Sequence, residues 1–160
     1  RFDLLEGKVF PDFTFGTHGA EVAVNEETGE LKVLRLIACY DVGKAINPQS
    51  TEGQIHGGVA QGIGWALMED MISKDGKILN PDFTDYIIPG PMDLPPIQTI
   101  LVEPVDPEGP FGAKGIGEPA LNPTAAAVAN AIFDATGLRM TQLPITQEKI
   151  LFAIKKKVSR

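Results

Sequence analysis

Few side chains in this sequence sit where they could do acid–base or nucleophilic chemistry. Glu118 lies in FGAKGIGEPALNPTAAA at 111–127, and Gln54, His56 and Gln61 lie in STEGQIHGGVAQGIGWALMED at 50–70. Gly112, Gly115 and Gly117 precede Glu118. Such glycines allow close backbone approach and expose amide N–H groups that can hold an anionic or ring-shaped ligand. A carboxylate held beside a ligand is a candidate general base. The same Glu also suits the N-terminus of the helix that follows, where the dipole favours negative charge. On these residues alone both readings stand.

The second segment is an unusual helix. Gly53, Gly57, Gly58, Gly62 and Gly64 interrupt it. Each costs roughly 1 kcal/mol against Ala, so five cost on the order of 5 kcal/mol, comparable with the stability of a small domain. Close approach of a ligand or of another backbone is the usual compensation. Gln54, Gly57, Gln61 and Gly64 or Trp65 share one helical face. An amide donates and accepts, so two of them on a smooth face suit a heteroaromatic edge or an oxo group. Packing of the glycines against a neighbouring helix, with the glutamines exposed, is the alternative. His56 falls off this face and reads as a surface or supporting residue.

The elements that must position these groups follow from local signals. HGAEVAVN at 18–25, EETGE, and LKVLRLIACYDVG at 31–43 read as a β-hairpin with a Gly-containing turn. A helix is predicted from a cap at Ser50 or Thr51, with Glu52 in its first turn, to about Met71. SKDGK at 73–77 is a turn, 80–97 is Pro-rich with extended pieces such as FTDYII, and 98–105 is a strand. Asn122 and Pro123 predict a helix start, and Gly137 its C-cap. A last helix is capped by Thr146. The strands and helices come in mixed order, which predicts an α+β fold in a single domain.

Composition narrows the function. The chain has 160 residues, 43% hydrophobic, with a formal net charge of −7. That acidity argues against nucleic-acid binding. Lys155, Lys156, Lys157 and Arg160 read as the solvated end of the last helix. One cysteine, Cys39, permits no internal disulfide and reads as a buried inert thiol in a reducing compartment. Two histidines and one cysteine make an ordinary zinc site improbable. No apolar run reaches membrane-span length and no signal peptide is visible, which points to the cytoplasm. The chain opens on Arg1, so a fragment or processed product is expected. GIGEPA fits a relaxed dinucleotide fingerprint, but Pro119 interrupts it and no βαβ frame surrounds it.

GQIHGGVAQGIGWALMED, followed later by GAKGIGEPALNPTAAAVANAIFDATG, resembles the C-terminal part of the molybdenum-binding subunit of the xanthine dehydrogenase and aldehyde oxidase family. HGAEVAVNEETGELKVLRLIACYDVGKAINP and LPITQEKIL resemble the same family, so the likeness runs from about Phe13 to Leu151. It implies hydroxylation of a carbon centre with oxygen from water. The substrate is a purine (xanthine first), another N-heterocycle or an aldehyde. The cofactor implied is a molybdopterin carrying molybdenum, its dinucleotide form left open. By resemblance Glu118 is the base that deprotonates the molybdenum hydroxide. Gln54, the backbone of Lys114, Gly115 and Gly117, and Gln61 would line the cofactor. His56 departs from the Glu that many members carry.

Iron–sulfur clusters and FAD are expected on other domains or subunits. The expected partners are the rest of the molybdenum-binding subunit or a separate large subunit, with iron–sulfur and flavin subunits and a small-molecule substrate. The isolated chain is expected to be inactive. The competing expectation is a non-catalytic module that holds the cofactor or assists assembly.

Overall fold

A computed structural model describes residues 12–158. The hairpin forms as its alternation predicts. Strands β1 (Gly16–Val24) and β2 (Leu31–Asp41) pair antiparallel. Gly29, at φ +78°, closes their turn. The register shifts between Glu21 and Val22. That shift places both Val33 and Leu36 on the buried face, which strict alternation would separate.

Helix α1 (Pro48–Leu67) leaves β2 and crosses one sheet face, and β5 (Ile97–Val102) returns parallel to β2. Between them Ser73–Lys74 (β3) and Lys77–Ile78 (β4) form a small hairpin turning at Asp75 and Gly76, both at positive φ. The main sheet has the order β1-β2-β5. Helices α2 (Thr124–Thr136) and α3 (Gln147–Val158) complete a mixed α+β fold.

The core has two lobes. Ile55, Val59 and Ile63 of α1 pack on Leu36, Ala38, Tyr40 and Val42 of the sheet side. Val128 and Ile132 of α2 and Ile150 of α3 gather on Val33. Both lobes bury fully apolar side chains, the dominant favourable contribution to folding.

Several boundaries differ from expectation. Helix α1 starts earlier, because Asn47 accepts from the Ser50 N–H at 3.0 Å and Pro48 opens the first turn. Pro has no N–H to leave unsatisfied there. Glu52 therefore lies beyond the first turn. The helix also ends at Leu67, since the N–H groups of Met68 and Glu69 both turn back to the Gly64 carbonyl. Asn122 does not cap α2: a 3₁₀ turn over Pro119–Leu121 leads into the helix, and Asn122 is already helical. FTDYII starts with a turn, Tyr86 N–H bonding to Asp82 C=O, and is not extended there. Gly137 caps α2 at φ +70°, and Thr146 accepts from the Lys149 N–H, both as expected. Lys155, Lys156 and Lys157 occupy the last turn of α3, while Arg160 lies outside the described residues.

Candidate functional site

A cleft of about 550 Å³ opens between α1 and the segment that runs into α2. Its helix wall is Gly53, Gln54, Gly57, Gly58 and Gln61; its loop wall includes Gly117, Glu118 and Asn122. The fold thus brings Gln54, Gln61, Gly117 and Glu118 together. It places Asn122 beside them, because the 3₁₀ turn after Pro119 folds the chain back over Glu118. Asn122 is a cleft residue that the capping signal concealed.

Among the described residues, nothing accounts for the bareness of the helix wall at Gly53 and Gly57. A Cβ added at Gly53 or Gly57 would meet nothing within 4 Å. The same holds at Gly115 and Gly117, and none of the four has the positive φ that would demand glycine. The other α1 glycines differ. A Cβ at Gly58 would stand 2.5 Å from the Ala120 Cβ, and one at Gly62 2.5 Å from the Thr124 side chain. Gly64 is closed off by Pro89 and Glu69. The grouping of Gly64 with the glutamine face is therefore corrected: it packs inward, and Trp65 stands half exposed.

Glu118 is exposed in the cleft, and its carboxylate takes no hydrogen bond or ion pair among the described residues. Among the described residues, it is the only formally charged one lining the cleft. Lys114 lines the two neighbouring clefts, one of them with Gln54 and the other with Gly115. Its ammonium is engaged elsewhere, 2.7 Å from Asp41 and 3.1 Å from both Asp12 and the Phe13 carbonyl. The hydrogen bond to Asp41, with Asp12 behind it, raises the Lys114 pKa above its ordinary value. Lys114 thus offers the cleft no free cation. Its backbone N–H bonds to the Val42 carbonyl at 2.9 Å, pinning the start of the loop to the end of β2.

The loop is fixed at further points. Thr14 donates to the Gly115 carbonyl at 2.7 Å, and the Lys44 N–H to the Gly112 carbonyl at 2.6 Å. On the far side of Glu118 the Tyr40 hydroxyl donates to the Pro119 carbonyl at 3.0 Å. Tyr40 also meets His18 Nε2 at 2.9 Å, and His18 Nδ1 meets the Thr124 hydroxyl at 3.1 Å. Burial lowers the His18 pKa to about 4 and raises that of Tyr40 to about 12. Both are therefore neutral near pH 7. No local pattern marks these three residues as a group. His56 is exposed on α1 and does not line the cleft, and Cys39 is half-buried on β2.

An unpaired carboxylate, two flexible amides and a strip of bare backbone can accept a proton beside a flat polar ligand and bond to its edge. Among the described residues, no helix is long and apolar enough to cross a membrane, and no group of His, Cys, Asp and Glu could hold a metal ion.

Comparison with known proteins fits this chemistry. The profile of the molybdopterin cofactor-binding domain family matches residues 2–95, which include α1 but end before Glu118. The putative xanthine dehydrogenase molybdenum-binding subunit XdhA of Escherichia coli (strain K12) is 38% identical over 138 residues, 85% of this chain and 18% of that protein. The aldehyde oxidoreductase structure from Desulfovibrio gigas superposes with a TM-score of 0.84 at 38% identity, covering 91% of this chain and 16% of that one. Quinoline 2-oxidoreductase from Pseudomonas putida 86 gives a TM-score of 0.81 at 36% identity, covering 87% of this chain and 18% of that one. The chain thus spans under a fifth of the length of each of these relatives.

Proposed function

Since the chain belongs to the molybdopterin cofactor-binding family of xanthine dehydrogenase and aldehyde oxidoreductase type, we propose that it is the C-terminal part of the cofactor-binding region of a molybdenum hydroxylase, with Glu118 as its base. The observation that carries this reading is the free Glu118 carboxylate facing the bare, amide-bearing wall of α1 across one cleft.

The residues present fit the cofactor. Open space stands where Gly53 and Gly57 would carry a Cβ, which suits close approach of a flat ring. Gln54 and Gln61 can each donate to an oxo or phosphate oxygen and accept from a ring N–H. On the opposite side Gly117 likewise faces open space beside Glu118, while Gly115 lines a neighbouring cleft. Lys114 stands outside this cleft, in the neighbouring one that Gln54 shares, with its side chain held by carboxylates and its N–H by the Val42 carbonyl.

When bound, the molybdenum cofactor supplies the two-electron redox centre at which oxygen from water is transferred to an electrophilic carbon. Glu118 accepts, at a carboxylate oxygen, the proton released by the water-derived nucleophile, and afterwards returns it to solvent. Such proton transfer contributes typically 10²–10⁴-fold. Gln54 and Gln61 orient the ligand edge. The substrate is a purine, xanthine first, or another N-heterocycle or an aldehyde. The names of the relatives, spanning xanthine dehydrogenase, quinoline 2-oxidoreductase and aldehyde oxidoreductase, support that range. Electrons leave through iron–sulfur clusters and FAD on other domains or subunits, since one cysteine cannot ligate a cluster here. The assembled enzyme works in the cytoplasm, and the 160-residue chain alone turns over no substrate.

Metal analysis and one substitution test the reading. The native protein, purified with whatever it carries, is expected to hold about one molybdenum per copy. Glu118→Gln is expected to keep the metal and lose turnover. A protein grown with ample molybdate that holds no molybdenum would overturn the cofactor assignment. Full turnover in Glu118→Gln would instead favour a non-catalytic holding or assembly module.

A further inference from the structure

Glu118 sits on a segment with little intrinsic reason to hold one shape. It belongs to no strand or helix, and Gly115 and Gly117 lie just before it. A carboxylate that must take a proton from a defined position works only if its backbone is fixed. Tyr40 and Asp41 are consecutive at the end of β2, so their side chains leave opposite faces of the strand. Asp41 grips Lys114 before the segment, and Tyr40 grips the Pro119 carbonyl after it.

The Tyr40 side forms a directed chain. A carbonyl can only accept, so the Tyr40 hydroxyl must donate its one proton to Pro119. Its oxygen is then the acceptor for His18, which must carry the proton on Nε2. A neutral imidazole so protonated has a bare Nδ1, which must accept from the Thr124 hydroxyl. One arrangement of protons satisfies every link from Thr124 through His18 and Tyr40 to Pro119. It requires a neutral His18, and burial of that ring supplies this. The His18 and Tyr40 rings meet edge to face, their centroids 5.5 Å apart. Tyr40 and Thr124 are buried to 1% and 0% exposure, so water has little access to their two hydroxyls, while His18 between them is half-buried. Gly16 leaves room for the Tyr40 ring, since a Cβ there would overlap it.

The chain also reaches the opposite wall of the cleft. Thr124 packs directly on Gly62 of α1, where a Cβ would clash with it. The Asn122 N–H also bonds to the Pro119 carbonyl, at 3.2 Å, but that bond is local and travels with the turn. Among the described residues, only Tyr40 ties that carbonyl to the sheet.

We propose that Tyr40, backed by His18 and Thr124, is a positioning residue: its hydrogen bond to the Pro119 carbonyl fixes the backbone that carries Glu118. The catalytic part of this inference rests on Glu118 being the base; the structural part does not.

The test uses the native protein with its bound cofactor, comparing wild type with Tyr40→Phe, Thr124→Val and Thr124→Ser. Tyr40→Phe keeps the ring and deletes only the hydroxyl. It is expected to keep its molybdenum, to lower kcat by about 10- to 100-fold with little change in KM, and to speed amide hydrogen exchange over 115–122 by at least about tenfold. Exchange in β1 and β2 away from Tyr40 is expected to stay at the wild-type rate. Thr124→Val, which removes the first donor, is expected to do the same more weakly. Thr124→Ser, which restores it, is expected to recover wild-type exchange and kcat. Wild-type exchange in Tyr40→Phe would overturn the proposal. So would faster exchange without loss of kcat, or a Ser variant no better than the Val one. A wild-type protein devoid of molybdenum would defeat the reading of the site, and the exchange rates would then still decide whether Tyr40 holds the segment.

Discussion

Helix α1 carries two sets of glycines, and they answer different demands. Gly58, Gly62 and Gly64 face Ala120, Thr124 and the Pro89–Glu69 pair, and each is glycine because the neighbour leaves no room for a side chain. Gly53 and Gly57, on the same helix, face open space. Gly58 and Gly62 let α1 lie against the segment that follows Glu118, and Gly64 lets Pro89 close on its C-terminal end. The second has no packing partner among the described residues to offset the roughly 1 kcal/mol of helix stability lost at each position. Glycine in a helix is therefore ambiguous as a signal, and its partner decides the meaning. Gly58 and Gly62 bring the two walls together, and Gly53 and Gly57 leave space between them.

The contrast can be attacked in order of expected size. If the bare wall serves a bound redox cofactor, the facing carboxylate must be indispensable. Glu118→Gln should lower kcat by about 10³-fold or more with molybdenum retained, and steady-state kinetics with metal analysis checks this. If the packed set is structural, Gly62→Ala should drive a methyl into Thr124 and destabilise the fold by about 1–3 kcal/mol, read as a lowered thermal midpoint. An unchanged midpoint would erase the distinction.

The buried junction behind that packing should also show in acid. His18 titrates near 4 when folded, below the ordinary 6.5. The unfolded chain therefore takes up its proton first as pH falls. Stability from this group is complete above about 6.5, declines as pH drops toward 4, and levels off below it. Its half-exposed surroundings reduce the loss to on the order of 2 kcal/mol. Denaturant melts between pH 7 and 4 measure it, and His18→Gln should flatten the slope.

The smallest effect has the opposite sign from Gly62→Ala. Gly57→Ala should stabilise the cofactor-free fold by about 0.5–1 kcal/mol while lowering molybdenum content. A destabilised Gly57→Ala would mean that the bare face is a packing face after all.

What the sequence disclosed follows the range of the interactions. The β1–β2 hairpin, the Gly137 cap and the Thr146 cap depend on neighbours in the chain, and all three stand as expected. Helix α1 was legible as an element, but Asn47 hid behind Pro48 as its cap and Gly64 ended it early. The division of its glycines was illegible, because it depends on Pro89, Ala120 and Thr124 arriving from distant segments. Gln54, Gln61, Gly117 and Glu118 were each conspicuous in their own motifs, and the fold brings those motifs to one cleft. Asn122 was masked by its resemblance to a cap. The link from Tyr40 to Pro119 spans 79 positions and that from His18 to Thr124 spans 106, so no local pattern could announce it.

The twin grip at the end of β2 has a consequence for sequence drift. Loops ordinarily absorb insertions and deletions, since nothing measures their length. Here Lys114 and Pro119 are tethered to consecutive strand residues, and only Gly115, Ile116, Gly117 and Glu118 bridge them. One residue more would bow the bridge, and one fewer would tear a tether loose. This stretch has the appearance of a loop and the length tolerance of a sheet strand. Across divergent descendants of this chain the residue count of this stretch stays fixed even where a position such as Ile116 drifts.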